Sequence, residues 1–111
     1  MIWNTLSLIE ELSRLDEESM SEPVFILKHS TSCSISAMAL GRLERKWSPK
    51  DNEKIKPYYL DLIRHRELSN EIAKRYGVVH ESPQVLVIRK GQCVYNASHM
   101  EISFEALISV A

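Results

Sequence analysis

The chain has 111 residues, 44% of them hydrophobic and 26% charged, and its formal net charge at pH 7 is -1. This length and composition exclude a disordered chain and two ordinary domains, so we expect one domain over 1–111. The near-neutral charge excludes a positive field that recruits nucleic acid. No run approaches the ~20 apolar residues of a membrane span. We therefore expect a cytosolic protein that binds neither nucleic acid nor a membrane.

The first half of the chain predicts a helix, a strand and a second helix. Ser7 to Glu10 has the pattern of a capping box, and leucines at helical spacing after it extend a first helix to about residue 17. In the segment Val24–Lys28 apolar residues do not alternate with polar ones, which is typical of a strand buried on both faces. Apolar residues four positions apart then predict a helix over 35–47, and a polar loop follows over 50–54.

The second half predicts a strand, a helix, a hairpin and a final helix. Residues 55–63 are rich in β-forming side chains and predict another buried strand. A helical pattern over 68–76 precedes Gly77, which suits the position just after a helix. Two β-rich runs, over 84–90 and 93–97, flank the hairpin signal Gly91-Gln92, and residues 101–110 predict a short closing helix.

The order of these elements predicts the fold. It reads helix, βαβ, helix, ββ, helix, in which the βαβ unit must be parallel and right-handed and the hairpin antiparallel. We therefore predict an α/β protein of the thioredoxin fold, with a four-stranded mixed sheet (βαβ plus ββα) flanked by helices and one extra helix at the N-terminus.

Cys33 lies where the first predicted strand gives way to a helix. At the positive end of a helix macrodipole, free amide N–H groups stabilise a thiolate, which predicts a nucleophilic cysteine rather than a small buried hydrophobe. Three positions on, where dithiol oxidoreductases carry a second cysteine, this chain has Ser36. Ser36 is either a hydroxyl that contacts the thiol or a polar residue of the first helical turn, and the resolving thiol must come from elsewhere.

Topology predicts which other residues lie near Cys33. The first two strands are parallel and end at one edge of the sheet, where the third, antiparallel strand begins. Open α/β sheets bind ligands outside the carboxyl ends of their parallel strands. The edge is therefore predicted to collect Cys33, Arg64, His65, Arg66, His80, Ser82 and Pro83.

The second cysteine, Cys93, is predicted to lie far from this edge. The seven residues of 84–90 separate the hairpin from it by roughly 20 Å at ~3.3 Å per residue, whereas a disulfide needs Cα atoms within about 7 Å. Two cysteines do not make a disulfide framework, so both are expected to be free or redox-active thiols. No metal site is predicted, because the histidines show no ligand spacing with one another or with either cysteine.

The segment Ser30–Ser36 resembles the active-site segment of the bacillithiol-dependent monothiol bacilliredoxins, also described as YtxJ-type general stress proteins, in which the motif is usually Thr-Cys-Pro-Ile-Ser. Three further stretches are similar to the family: Arg64–Arg66, His80–Gln84 and Tyr95–His99. Together they span most of the chain. The chain departs from the family pattern at Ser34, where the family usually has proline.

The resemblance implies an enzyme that removes bacillithiol, a cysteinyl-glucosamine-malate thiol, from protein mixed disulfides. Bacillithiol would be its low-molecular-weight co-substrate, bacillithiolated proteins its partners, and no bound cofactor would be needed. It also implies that Pro83 is cis and that the backbone of Ser82 beside it pairs with the substrate, while Arg side chains suit the malate carboxylates. Cys33 is the predicted catalytic residue, and the predicted substrate-binding residues are Ser32, Ser34, Ser36, Ser82, Pro83, Arg64, Arg66 and His80.

Two other functions fit the same residues. One is a glutaredoxin-like protein that uses glutathione, and the choice depends on which thiol the host makes. The other is a non-enzymatic stress-response module of thioredoxin fold in which Cys33 is a reversibly modified sensor. Turnover discriminates between the enzymes and the sensor, and the sequence specifies neither the clients nor the oligomeric state.

Overall fold

The computed structural model describes residues 1–111. It contains five strands, five α-helices and one short 3-10 turn, and none of the helices has the length and apolar character needed to cross a bilayer. In chain order the elements are β1 (Asn4–Leu6), α1 (Glu11–Ser19), β2 (Val24–His29), α2 (Ser34–Lys46), α3 (Asp51–Lys54), β3 (Lys56–Asp61), α4 (Arg66–Tyr76), β4 (Gln84–Arg89), β5 (Gln92–Ser98), the 3-10 turn (His99–Glu101) and α5 (Phe104–Val110).

The sheet has five strands in the order β1-β3-β2-β4-β5. β1, β3 and β2 run parallel, and β4 and β5 are antiparallel to their neighbours. The four strands of the thioredoxin arrangement are therefore confirmed, but the prediction of four strands in total was wrong. The three residues of β1 pair with β3 from Asn4–Tyr58 to Leu6–Leu60, and a strand this short carries no periodic signal.

The start of the first helix also differs from the prediction. The helix begins at Glu11 with Glu10 as its N-cap residue, and neither the Ser7 nor the Glu10 side chain forms a capping hydrogen bond. Instead a carboxylate oxygen of Glu11 accepts hydrogen bonds from the backbone N–H groups of Ser7 at 2.9 Å and Leu8 at 2.8 Å. Pairing of β1 with β3 keeps the chain extended through Leu6, so residues 7–10 form a turn and the helix starts later.

Most other elements lie where the sequence predicts them, with small shifts at their ends. Gly77 follows α4 with φ of 67°, the left-handed conformation that a helix-ending glycine adopts most easily. The hairpin turn is Lys90-Gly91, one residue earlier than predicted, and both residues have positive φ. The predicted polar loop contains the single helical turn α3. The last helix begins at Phe104, and the hydroxyl of Ser103 caps it by accepting a hydrogen bond from the Ala106 N–H at 3.1 Å.

Helices cover both faces of the sheet. α1 and α4 pack on one face, against the side chains of Ile26 and Leu86, while α2 and α5 pack on the other, against Phe25 and Val85. Every residue of β2 is buried, so this central strand carries the chain to the sheet edge between two apolar layers. Lys28 and His29, the last two residues of β2, are the polar side chains of the strand and lie next to the candidate site.

Candidate active site

Five segments meet at the edge of the sheet where β2 ends. Because the sheet order is β1-β3-β2-β4-β5, the segments follow each other along the edge as 7–10, 62–65, 30–33, 77–83 and 99–103. Lys28 pairs with Gln84, and Gln84 pairs with Ser98, which brings the start of β4 and the end of β5 to the same edge. The segment that carries Cys33 is therefore in the middle, with two segments on each side.

Cys33 is the residue immediately before α2. It has an extended backbone, with φ of -108° and ψ of 121°, and its carbonyl accepts the first helical hydrogen bond, from the Ala37 N–H at 3.1 Å. No side chain caps this helix, so no protein side chain takes up the amide N–H groups of its first turn. The thiol is partly exposed and free, and it lies where helix amides favour an anion. Ser32 and Ser34 beside it are exposed.

Cys93 lies at the opposite end of the sheet, as predicted. It pairs with Ile88, which in turn pairs with Val24 at the beginning of β2, whereas Cys33 follows the end of that strand. Its thiol donates to the carbonyl of Tyr95 at 3.3 Å, and burial raises the pKa of Cys93 above its ordinary value. Cys93 is therefore a poorly ionised thiol remote from Cys33.

Ser36 is fully buried, so the prediction that it contacts a substrate directly is wrong. Its hydroxyl accepts from the Ser30 N–H at 3.0 Å and shares a hydrogen bond of 2.7 Å with Nδ1 of His29. Burial lowers the pKa of His29, against the opposing effect of the Asp61 carboxylate, so the imidazole is neutral at pH 7. Ser36 thus ties the first turn of α2 to the end of β2 and positions the segment 30–33.

We expect Ser36→Ala to lower the free energy of unfolding by about 1–3 kcal/mol, because the buried groups that bond its hydroxyl lose their partner. Urea denaturation measures this change. Ser34→Ala is the matched control, since Ser34 is an exposed serine in the same helical turn and its loss should change stability by less than about 0.5 kcal/mol. Equal effects of the two substitutions would contradict the positioning role of Ser36.

A second polar cluster lies on the α4 face of the sheet. The side chain of Lys28 is fully buried, and its Nζ lies 3.3 Å from the carbonyl oxygen of Ser69 in α4 and 3.4 Å from Nδ1 of His80. The Ser69 hydroxyl lies 3.2 Å from the same His80 nitrogen. The cluster connects the end of β2, helix α4 and the segment 77–83 that carries Ser82 and Pro83.

Burial and the nearby charges determine the protonation state of His80. Burial lowers the pKa of Lys28 to about 8, so the amine is mostly protonated at pH 7. Burial, followed by the positive charges of Lys28 and Arg66, lowers the pKa of His80. A neutral His80 can accept a hydrogen bond from the Lys28 ammonium at Nδ1, and this contact anchors the segment that carries His80.

Arg64 and Arg66 lie on the β3 side of Cys33. Together with His65 they line a cleft of about 490 Å³, whose opposite wall is the segment 7–10. Asp61 holds the turn before them, since its carboxylate accepts from the backbone N–H of Arg64 at 3.3 Å. Both arginines are exposed. The cleft exists because the segment 7–10 follows β1, a strand that the sequence patterns did not reveal.

Ser82 and Pro83 lie on the β4 side of Cys33, and the peptide bond between them is cis, as the resemblance implies. Pro83 is buried, and its carbonyl accepts from the His99 N–H at 2.9 Å. The two buried side-chain polar atoms without a hydrogen-bond partner are Ser82 Oγ and Gln84 Oε1, one on each side of Pro83. Gln84 was not predicted as a site residue, because a polar residue that begins a strand is common.

The chain matches the model of a known protein family over nearly its whole length. The family model described as monothiol bacilliredoxin BrxC matches residues 4–107. The chain belongs to this family. Among solved structures, one described as a candidate oxidoreductase with a thioredoxin fold is 36% identical, covers 95% of this chain and 89% of its own, and has a TM-score of 0.81.

Two thioredoxins share the fold of this bacilliredoxin at low identity. Thioredoxin from Malassezia sympodialis is 14% identical, with 98% of this chain and 87% of that chain covered and a TM-score of 0.76. Thioredoxin from Fasciola hepatica is 17% identical, with 96% and 94% covered and a TM-score of 0.71. They confirm the predicted thioredoxin fold.

The bacilliredoxin departs from its family motif at one residue beside the thiol. Ser34, which the resemblance in sequence marks as standing in place of the usual proline, is the first residue of α2. Proline suits the first helical position because the N–H that it lacks has no partner within the helix. Ser34 keeps that N–H, so this chain has one more amide donor at the helix end next to Cys33. The structure contains no group of three or more His, Cys, Asp or Glu side chains arranged to hold a metal ion.

Proposed function

We propose that this bacilliredoxin is a monothiol thiol–disulfide oxidoreductase that removes bacillithiol from protein mixed disulfides. The observation that carries the proposal is the position of Cys33, a partly exposed thiol at the uncapped N-terminus of α2 with a serine three residues on and the other cysteine at the far end of the sheet. A thiolate there can attack a disulfide, but no second thiol of the same chain can resolve the mixed disulfide that results.

The proposed reaction has two exchanges. The Cys33 thiolate attacks the bacillithiol sulfur of the mixed disulfide, the client sulfur leaves with the bonding electron pair, and the client thiolate takes a proton from solvent. A second molecule of bacillithiol, as its thiolate, then attacks the bacillithiol sulfur of the Cys33 adduct. Cys33 leaves as a thiolate and bacillithiol disulfide is released, so each cycle consumes one thiol and regenerates the enzyme without a bound cofactor.

The order of segments along the edge supports the proposed substrate-binding roles. We propose that Arg64 and Arg66 bind the malate carboxylates in the cleft on the β3 side, where guanidinium groups match carboxylate geometry. The backbone of Ser82 and Pro83 faces the substrate from the β4 side, with His80 anchoring that segment through Lys28. Ser32 and Ser34 offer exposed polar groups beside the thiol, and Ser36 positions them.

Intact-mass spectrometry during a single turnover tests the proposal. The reduced protein is mixed with a bacillithiolated client, and we expect one bacillithiol adduct on Cys33 that disappears when free bacillithiol is added. The same client carrying glutathione is the matched control. Faster transfer from the glutathionylated client would favour the glutaredoxin-like function, and an adduct that forms without repeated turnover would favour the sensor.

A further inference from the structure

The carboxamide of Gln84 has an unused acceptor. The side chain is 1% exposed, and its Nε2 donates to the carbonyl of Val79 at 3.0 Å and lies 3.4 Å from the hydroxyl of Ser98. Because a carbonyl can only accept, the contact with Val79 fixes which end of the amide is nitrogen. Oε1 is thus the buried atom without a partner, and such an atom in a folded protein calls for a donor.

Gln84 lines a cleft on the side of Cys33 opposite to the arginines. The cleft has a volume of about 480 Å³, within the range of small-molecule sites, and lies between the segment after α4 and the end of β5. Glu81 and Glu101 are exposed carboxylates of its lining. Glu81 reaches Nε2 of His99 at 3.3 Å, and His99 in turn is bonded through its N–H to Pro83.

The lining of this cleft favours a cation. Its acceptors include the free Oε1 of Gln84 and the carboxylates of Glu81 and Glu101, whereas the Gln84 amide hydrogens already face Val79 and Ser98. The arginine cleft on the other side of Cys33 differs in that it offers the guanidinium groups of Arg64 and Arg66, beside the carboxylates of Glu10 and Glu67. In the order of segments along the edge, the segment of Cys33 therefore lies between the segments of a cleft with acceptors for a cation and those of a cleft with guanidinium groups for an anion.

We propose that the cleft at Gln84 is a second subsite, which binds the free ammonium group of the low-molecular-weight thiol through Gln84 Oε1 and Glu81. This inference rests on the proposed function and adds the group that the subsite recognises. An ammonium at this position donates to the orphaned amide oxygen and to a carboxylate, and a charge-assisted bond of this kind is stronger than a neutral one. The opposite cleft then remains for the carboxylates of the same ligand.

Binding measured without thiol exchange tests the subsite. S-methyl-L-cysteinamide, which carries the ammonium and cannot form a disulfide, is titrated into the protein while backbone amide shifts are followed by NMR. We expect saturable shifts at Gln84, Ser98 and His99, and no saturable shifts with the N-acetylated compound, which lacks the charge. Shifts that are absent, or equal with the two compounds, would overturn the subsite.

Three variants sharpen this result. Glu81→Gln and Gln84→Met should each weaken binding by about tenfold, the equivalent of one charge-assisted hydrogen bond. Glu67→Gln, which removes an exposed carboxylate from the arginine cleft, should leave binding unchanged. Stronger binding of Nα-acetyl-lysinamide than of the cysteine compound would assign the cleft to lysine side chains of client proteins and overturn the proposal. If the protein binds the ammonium compound but shows no thiol exchange, the proposed function is contradicted and the subsite is not.

Discussion

Replacing Cys33 with serine should lower the rate of bacillithiol release from a mixed-disulfide client by at least about a thousandfold, because a serine hydroxyl is a much weaker nucleophile than a thiolate. Cys93→Ser should retain exchange, since Cys93 lies across from Ile88 near the start of β2 and its thiol is poorly ionised. The appearance of free client thiol measures both rates.

The pair of variants also tests the location of the resolving step. Oxidised wild-type protein should carry a mixed disulfide on Cys33 and no internal bridge, because the register places the two cysteines at opposite ends of the sheet. Loss of exchange in Cys93→Ser with folding intact, or a Cys33–Cys93 disulfide in a monomer, would contradict both the mechanism and the topology.

The second large effect concerns stability and its dependence on pH. Lys28 is buried with a carbonyl and an imidazole as partners and no carboxylate. Its pKa falls from 10.5 to about 8 on folding. Between these values the unfolded chain binds one proton more than the folded chain, so the contribution of Lys28 to the free energy of unfolding increases as pH rises through this window. Below pH 8 both states are protonated and the cost of burying the charge is present in full.

Lys28→Met removes this cost, and we expect the variant to be more stable than the wild type at pH 7 by about 2–3 kcal/mol. The difference should shrink steadily between pH 8 and pH 10. Urea denaturation of both proteins at several pH values measures it. The buried Tyr58 and the partly buried Tyr76 have raised pKa values and are present in both proteins, so the difference in stability isolates Lys28. A stability difference that does not change with pH would contradict the conclusion that Lys28 is buried as a charged amine.

Much of the fold follows from local patterns. The unbroken apolar run of β2, the four-residue spacing in α2 and Gly77 after α4 are properties of short segments, and each is found where the sequence predicts it. Once the strands are ordered as parallel and antiparallel, their common edge follows. The sequence therefore leads to Cys33 at the start of a helix and to the segments beside it, because helix ends and strand ends are encoded within a few residues.

Other features of the site arise only in the tertiary structure. β1 is a strand because Asn4–Leu6 meets β3, more than 50 residues later, and without that partner the segment has no preference of its own. Lys28, Ser36 and Gln84 are common polar residues in the sequence, and what distinguishes them is burial beside groups from distant segments. The sequence by itself determines where the candidate nucleophilic thiol lies. The charges and unpaired polar atoms around it depend on which segments pack together, since burial and long-range hydrogen bonds are not local properties of a chain.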